Sequence, residues 1–256
     1  MFDLQQVSPF GQWRRETPMS SYLFVLCPPY SGSTLLWKLL STSDNVSSLP
    51  LEGQSLRELK TLMRDKPWDA TQVLPWPQIK AVWETYWDQK KTVLLEKSPP
   101  NLIRVDDILI HFQPVKFIVM VRNPYAHCEG LIRRNGWKLK RAANFSMMCL
   151  RTQLENARRL EDALVLTYES LVEDPDRACR EIAAFMPELQ DMNSAASFEV
   201  HSIDGTLDRP ITDLNTKKIA SLTADMITSL NDVFMQHEQT FKDWGYDLLV
   251  APDSGS

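Results

Sequence analysis

Apolar residues gather in short unbroken runs at four places along the chain: YLFVLC over 22–27, TVLL over 92–95, VKFIVMV over 115–121 and LVLT over 164–167. Three of these are continuously apolar, as expected of strands covered on both faces in a parallel sheet. Around them the apolar positions recur at helical spacing. That spacing predicts helices over 34–41, 55–63, 78–87, 102–111, 145–160 and 175–186, and a long amphipathic stretch over 215–244. Strands alternating with helices pack as an α/β fold, here a single domain with a central, mostly parallel sheet flanked by helices and joined by right-handed crossovers. No Pro/Gly/Ser-rich linker interrupts the 256 residues. The expected organisation is therefore an N-terminal extension over 1–20, one domain over 21–249 and a flexible tail over 250–256.

Composition narrows the function classes. The hydrophobic fraction is 43% and the charged fraction 24%, which argues against disorder and against a fibre. A net charge of −5 disfavours a nucleic-acid binder held by a broad basic surface, while leaving room for a local basic pocket. The opening MFDLQQVSPFGQWRRETPMSS lacks the basic-then-apolar layout of a signal peptide, and no apolar run approaches the ~18 residues of a membrane span. Cys27, Cys128, Cys149 and Cys179 form no CxxC pair and have no histidine at ligand spacing. They read as reduced core thiols, and no metal is expected. A cytoplasmic protein with no membrane and no nucleic-acid partner is the expectation; the oligomeric state is left open.

The first strand leads into PPYSGST and then LLWKLL. Pro28 and Pro29 end the strand, Gly32 permits an unusual backbone angle, and Ser33 and Thr34 suit a helix start. Such a turn aims backbone N–H groups and a helix N-terminus at one point, a ready anion site. A nucleotide P-loop needs Gly at 27 and Lys at 33, where this chain has Cys27 and Ser33. Without that lysine the β- and γ-phosphates lose their fixed counter-charge, which disfavours a kinase. Later, VKFIVMV-RNP puts Arg122 at the carboxyl end of a buried strand, where ligands sit in open sheets. Arg133 and Arg134 follow about three helical turns on, within reach of the same anion.

PPYSGSTLL resembles the 5′-phosphosulfate loop of the sulfotransferases that use 3′-phosphoadenosine 5′-phosphosulfate (PAPS). The resemblance assigns Tyr30, Ser31, Gly32, Ser33, Thr34 and Leu35 to that end of the donor, with Tyr30 standing where the family has Lys or Arg. The segment at 115–134 resembles the family's 3′-phosphate site, which implies donor binding by Arg122, position 130 and Arg134; Gly130 replaces the usual serine. LPLEGQS and LLEKSPPN resemble the segments carrying the catalytic glutamate and a charge-stabilising lysine, which makes Glu52 the base and Lys97 the stabiliser, with Ser98 as a hydrogen-bond partner. Glu96 is the alternative base, and His111 and His127 are weaker ones. LVLTYESLVEDP resembles the segment whose tyrosine lies near adenine or ribose, here Tyr168. In RPITDLNTKKI, Arg209, Lys217 and Lys218 are candidates for a further contact to the 3′-phosphate. Trp68, Trp76, Trp83 and Trp87 are either core or the wall of an acceptor pocket.

The resemblance thus implies transfer of a sulfuryl group from PAPS to a hydroxyl or amine of a small-molecule acceptor, in line, without a metal, leaving PAP. The alternatives are a P-loop kinase of a small molecule and a non-catalytic nucleotide-binding relative.

Overall fold

The computed structural model describes residues 20–202 and 205–250, with side chains described outside 199–209. The expected N-terminal extension and tail lie almost wholly outside these residues. Five strands form a parallel sheet: β1 (Ser21–Leu26), β2 (Val46–Ser48), β3 (Val93–Glu96), β4 (Val115–Val121) and β5 (Ala163–Thr167), in the order β2-β3-β1-β4-β5. The central β1 sets Tyr22 opposite Leu94 of β3 and opposite Val115 of β4. Consecutive strands pass to one side of β1 and later strands to the other, so the carboxyl ends of β1, β3 and β4 border the crevice where open sheets bind ligands.

The continuous apolar runs follow from this burial. On one face Phe24, Leu26, Leu94, Phe117 and Val119 pack with Trp76, Ile79 and Trp83 of α3 (Trp76–Tyr86). On the other, Leu23, Val25, Leu95, Ile118 and Met120 pack with α1 (Ser33–Leu40) and α8 (Pro175–Phe185). Successive residues of one strand thus serve opposite faces, and each fully buried Leu, Val or Phe contributes about 1.5–3 kcal/mol. A third cluster joins α5 (Pro124–Asn135) and α6 (Leu139–Arg159) to α10 (Ala224–Phe234) and α11 (Glu238–Asp243) through Tyr125, Leu131, Leu150, Phe234 and Phe241. The remaining helices are α2 (Lys60–Arg64), α4 (Val105–His111), α7 (Tyr168–Glu173) and α9 (Asn215–Ala220), and a hairpin of β6 (Phe198–Ser202) and β7 (Gly205–Arg209) stands apart from the sheet.

Several elements differ from the pattern-based expectation. β2 is three half-buried residues, VSS, at the sheet edge, too short and polar to form an apolar run. The helix expected over 55–63 is a 3-10 turn at Gly53–Ser55, an extended Leu56 and then α2. The stretch over 215–244 is broken into three helices, because Thr223 starts α10 afresh by accepting a hydrogen bond from the Met226 N–H at 3.3 Å. Trp76, Trp83 and Trp87 are core residues, so the acceptor-wall reading fails for these three.

Candidate active site

The loop after β1 turns on two residues in the left-handed region, Tyr30 (φ 60°) and Gly32 (φ 87°). Ser31 is fully buried and donates its hydroxyl to the Pro28 carbonyl at 2.7 Å, tightening the turn. Gly32 stands at the N-cap of α1 with no side-chain cap. Among the described residues, the N–H groups of Gly32, Ser33 and Thr34 donate to no acceptor. These orphan donors and the positive end of the helix dipole point into the crevice. Only glycine fits at 32, since a Cβ there would lie 2.3 Å from Cδ2 of Tyr168.

Facing the loop, β4 ends at Arg122, which is 5% exposed. Its Nε donates to Asn215 Oδ1 at 2.6 Å and its Nη1 to the Tyr30 carbonyl at 3.2 Å. The guanidinium lies 3.8 Å from the Tyr168 ring centre, while Nη2 is buried without a partner among the described residues. No carboxylate pairs with it there. The nearby Glu169 instead accepts from the Asn123 N–H at 2.8 Å, from the Tyr246 hydroxyl at 2.9 Å and from Asn215. A buried guanidinium with an open donor is suited to receive an anion. Tyr168, stacked on both Arg122 and Gly32, is fixed through its hydroxyl, which accepts from the Leu214 N–H at 3.0 Å and donates to the Thr212 carbonyl at 3.3 Å.

Tyr30 and Gly130, the two positions at which the sequence departs from the motifs it resembles, lie together. A Cβ built on Gly130 would meet Cβ of Tyr30 at 2.8 Å and Nζ of Lys218 at 3.2 Å. Gly130 is therefore the space that Tyr30 and Lys218 occupy. Lys218 lies 3.0 Å from Glu129 Oε2, and burial together with the Arg122 charge pulls its ammonium down to about 8, against the support of Glu129. Arg133 also pairs with Glu129, whereas Arg134 is exposed on the cavity. Tyr30 donates its hydroxyl to Asn135 Oδ1 at 2.6 Å.

On the other side of β1, Glu52 follows β2 and Lys97 follows β3. Lys97 Nζ lies 2.7 Å from Glu52 Oε1, and Gln54 Nε2 donates to Glu52 Oε2 at 2.8 Å. Glu96 points the opposite way, fully buried. Its oxygens accept from the Gly53 N–H at 2.7 Å, the Ser98 hydroxyl at 2.5 Å, the Ser98 N–H at 2.9 Å and Asn101 Nδ2. Burial pushes this carboxyl up to about 7, against the pull of the Ser98 and Gly53 donors. Glu96 is a bracket between two loops, and the Ser98 hydroxyl is spent on it. Replacing Glu96 by Gln turns an NH2 toward two of the four donors, so about 2–4 kcal/mol of stability is expected to go. Calorimetry at pH 8 then shows a Tm about 5–15 °C lower; an unchanged Tm excludes the bracket.

Tyr30, Gly32, Ser33, Thr34 and Leu35 line one cavity of about 420 Å³ together with Glu52, Lys97, Arg122, Arg134 and Tyr168. That volume suits a small-molecule site. Ser31 and Gly130 sit behind the lining, and the side chain of Arg209 lies outside the described residues. His127 is buried beside Ser146, 3.0 Å away, and burial drops it to about 3, so it stays neutral and structural. Gln54, Arg64, Trp137 and Phe145 also face the cavity, and the sequence had not marked them. Gln54, Arg64 and Trp137 come from irregular connections or a helix end with no pattern of their own, and Phe145 lies inside α6, where its spacing reads as core. Among the described residues no group of three or more His, Cys, Asp or Glu side chains is placed to hold a metal ion, and no helix is long and apolar enough to cross a membrane.

A comparison with curated proteins gives no match. Among solved structures, the chain is similar to the sulfotransferase domain from the curacin biosynthetic pathway, at 20% identity and a TM-score of 0.57, over 90% of this chain and 99% of that one. It is equally similar to the sulfotransferase domain from the Synechococcus PCC 7002 olefin synthase, at 20% identity and a TM-score of 0.56, over 90% of this chain and 96% of that one. These likenesses show a shared fold. A model of the Sulfotransferase family matches residues 23–190, a span holding the loop, Glu52, Lys97, Arg122 and Tyr168 and ending before Lys218. More than half of the chain lies in that match, and the chain belongs to the sulfotransferase family.

Proposed function

We propose that this sulfotransferase takes PAPS as donor and passes its sulfuryl group to a hydroxyl or amine of a small-molecule acceptor. The observation that carries the proposal is the pairing of open loop amides with the unpartnered, buried Nη2 of Arg122 across one cavity. Two anion receptors on one cavity suit a ligand with two anionic groups. In this reading the amides and hydroxyls of 32–34 hold the 5′ end of the donor. Arg122, Arg134 and Lys218 hold the 3′-phosphate, and Tyr168 walls the nucleoside. Lys218 supplies the polar contact that Gly130 lacks. One similar domain comes from the curacin biosynthetic pathway, and on that likeness and the size of the cavity we place the acceptor among secondary metabolites.

PAPS supplies a sulfuryl group already attached to a phosphate leaving group, so the protein's task is placement, charge neutralisation and the movement of one proton. Glu52 accepts the proton of the acceptor hydroxyl or amine. Lys97, held against Glu52, offers its ammonium to the oxygens on which charge develops. The loop amides, already oriented at the helix start, stabilise the departing phosphate without reorganising.

Titration separates this reading from a kinase. PAP binds and raises Tm by about 5–10 °C at a hundredfold excess over Kd, whereas ATP with Mg²⁺ neither binds nor competes. The reverse result overturns the proposal. The same titration carries a pH test. Lys218, faced by Arg122, Glu129 and Arg133, is protonated below about 8 in the free protein, and a bound phosphate raises it further. Above pH 8 binding must take up a proton, so PAP affinity falls by up to tenfold per pH unit, and Lys218→Ala removes that slope.

A further inference from the structure

The two sides of the cavity differ in chemistry. The strand order sets Arg122 and Tyr168 on the β4–β5 side and Glu52 and Lys97 on the β2–β3 side. The segment after Glu52 brings Trp68 to the cavity, where it meets Phe145 edge-on with ring centres 4.8 Å apart at 87°. Phe145 in turn meets Trp137 edge-on at 5.1 Å and 89°. All three rings are half-buried and line the cavity, so part of each ring is open to a ligand. Their edge-to-face arrangement builds an angled apolar wall suited to a flat ring.

Four residues before Trp68, Arg64 ends α2 and lines the same cavity. The other cations there have occupations: Lys97 pairs with Glu52, and Arg133 and Lys218 pair with Glu129. Arg122 and Arg134 are absorbed by the donor in the reading above. The Arg64 side chain makes no ion pair or hydrogen bond among the described residues, and its helix packs against the Gly53–Ser55 turn beside Glu52. A guanidinium in that position favours an anion, and its planar fork matches a carboxylate.

We propose that the acceptor is a flat, largely apolar alcohol or phenol carrying a carboxylate, its ring against Trp68, Phe145 and Trp137 and its anion on Arg64. The inference rests on the sulfuryl-transfer reading, since it takes Glu52 as the point toward which the hydroxyl is directed.

Binding to protein already saturated with PAP tests it without requiring turnover. The probes are 4-hydroxyphenylacetate and 4-methylphenol, alike in ring and hydroxyl but different in charge. By calorimetry the carboxylate binds at least tenfold more tightly than the neutral phenol. Arg64→Ala removes that advantage, Arg64→Lys keeps most of it, and neither variant alters binding of 4-methylphenol. Phe145→Ala weakens both ligands. Labelled PAPS then shows the same order in KM with little change in kcat. Arg64 is exposed, so its variants fold. Equal binding of the two phenols, an Arg64→Ala loss shared by both, or failure of both to bind PAP-loaded protein overturns the acceptor assignment alone. So does an Arg64→Ala variant that loses PAP. Failure of PAP itself to bind overturns the donor reading, and the acceptor assignment with it.

Discussion

Glu52→Gln lowers turnover with PAPS about a thousandfold and leaves PAP affinity within about twofold of the parent chain. General-base catalysis contributes about 10²–10⁴ in rate, and an amide of the same shape removes it cleanly. The geometry survives the exchange. A glutamine at 52 keeps its carbonyl on Lys97, now 2.7 Å from Glu52 Oε1, and its NH2 faces Gln54, whose own amide can turn to accept. Donor affinity is spared because removing a negative charge beside Lys97 does not weaken the hold on an anion. Initial rates with labelled PAPS, together with a PAP titration, check both halves. A variant within tenfold of the parent rate removes Glu52 from the role of base. A parent chain that binds PAP but transfers to no acceptor is the non-catalytic relative, and Glu52→Gln then has nothing to lose.

Placing at position 130 the serine of the motif that the segment resembles is expected to weaken PAP binding on the order of a hundredfold. Family logic alone anticipates the opposite, because a serine hydroxyl adds a donor for phosphate. Packing decides against it. The new Cβ would lie 2.8 Å from Cβ of Tyr30, an atom fixed to the main chain of the loop, and 3.2 Å from the Lys218 ammonium. No rotamer change at Tyr30 relieves a Cβ–Cβ clash, so main chain has to shift. The loop must move, and its amides with it, while Lys218 is pushed from its place. Tyr30→Gly in the same chain is the rescue, since it removes the clashing atom and relaxes a left-handed φ of 60°. Calorimetry on the two single variants and the double one closes the cycle. A tighter-binding Gly130→Ser, or a double variant no better than Gly130→Ser, overturns the coupling.

Much of the fold was legible because its strands are buried on both faces. β1, β3, β4 and β5 announce themselves as apolar runs and were placed to within a residue or two. What escaped notice lacked that signal: the short polar edge strand β2 and the hairpin set apart from the main sheet. Of the 55–63 helix only the end survives, as α2, because the buried Glu96 draws in the Gly53 amide beside a 3-10 turn and an extended Leu56 that periodicity does not register. At the site, residue identity and motif order brought Gly32, Glu52, Lys97, Arg122 and Tyr168 to notice, and all five line one cavity. The meaning of Tyr30 and Gly130 was not legible. Each looks like a separate loss along the chain, and only their contact across a separation of 100 positions shows one exchange of volume. Trp68 carries both readings in the sequence, core or wall, and only the structure sets it on the cavity, while Trp137 and Phe145 carry no such mark, since nothing in one sequence tells an aromatic facing a cavity from one facing the core.

Gly53, the neighbour of Glu52, lies so close to Trp83 that a Cβ on it would come within 2.5 Å of the indole. Glu52 therefore stands on a shelf bolted to the molecule's interior rather than on a hinged flap. Its aim is inherited from tryptophans that no reactant ever touches. Attempts to toughen this protein by repacking that interior would detune its chemistry at a distance, and screening for heat resistance alone would keep the detuned variants.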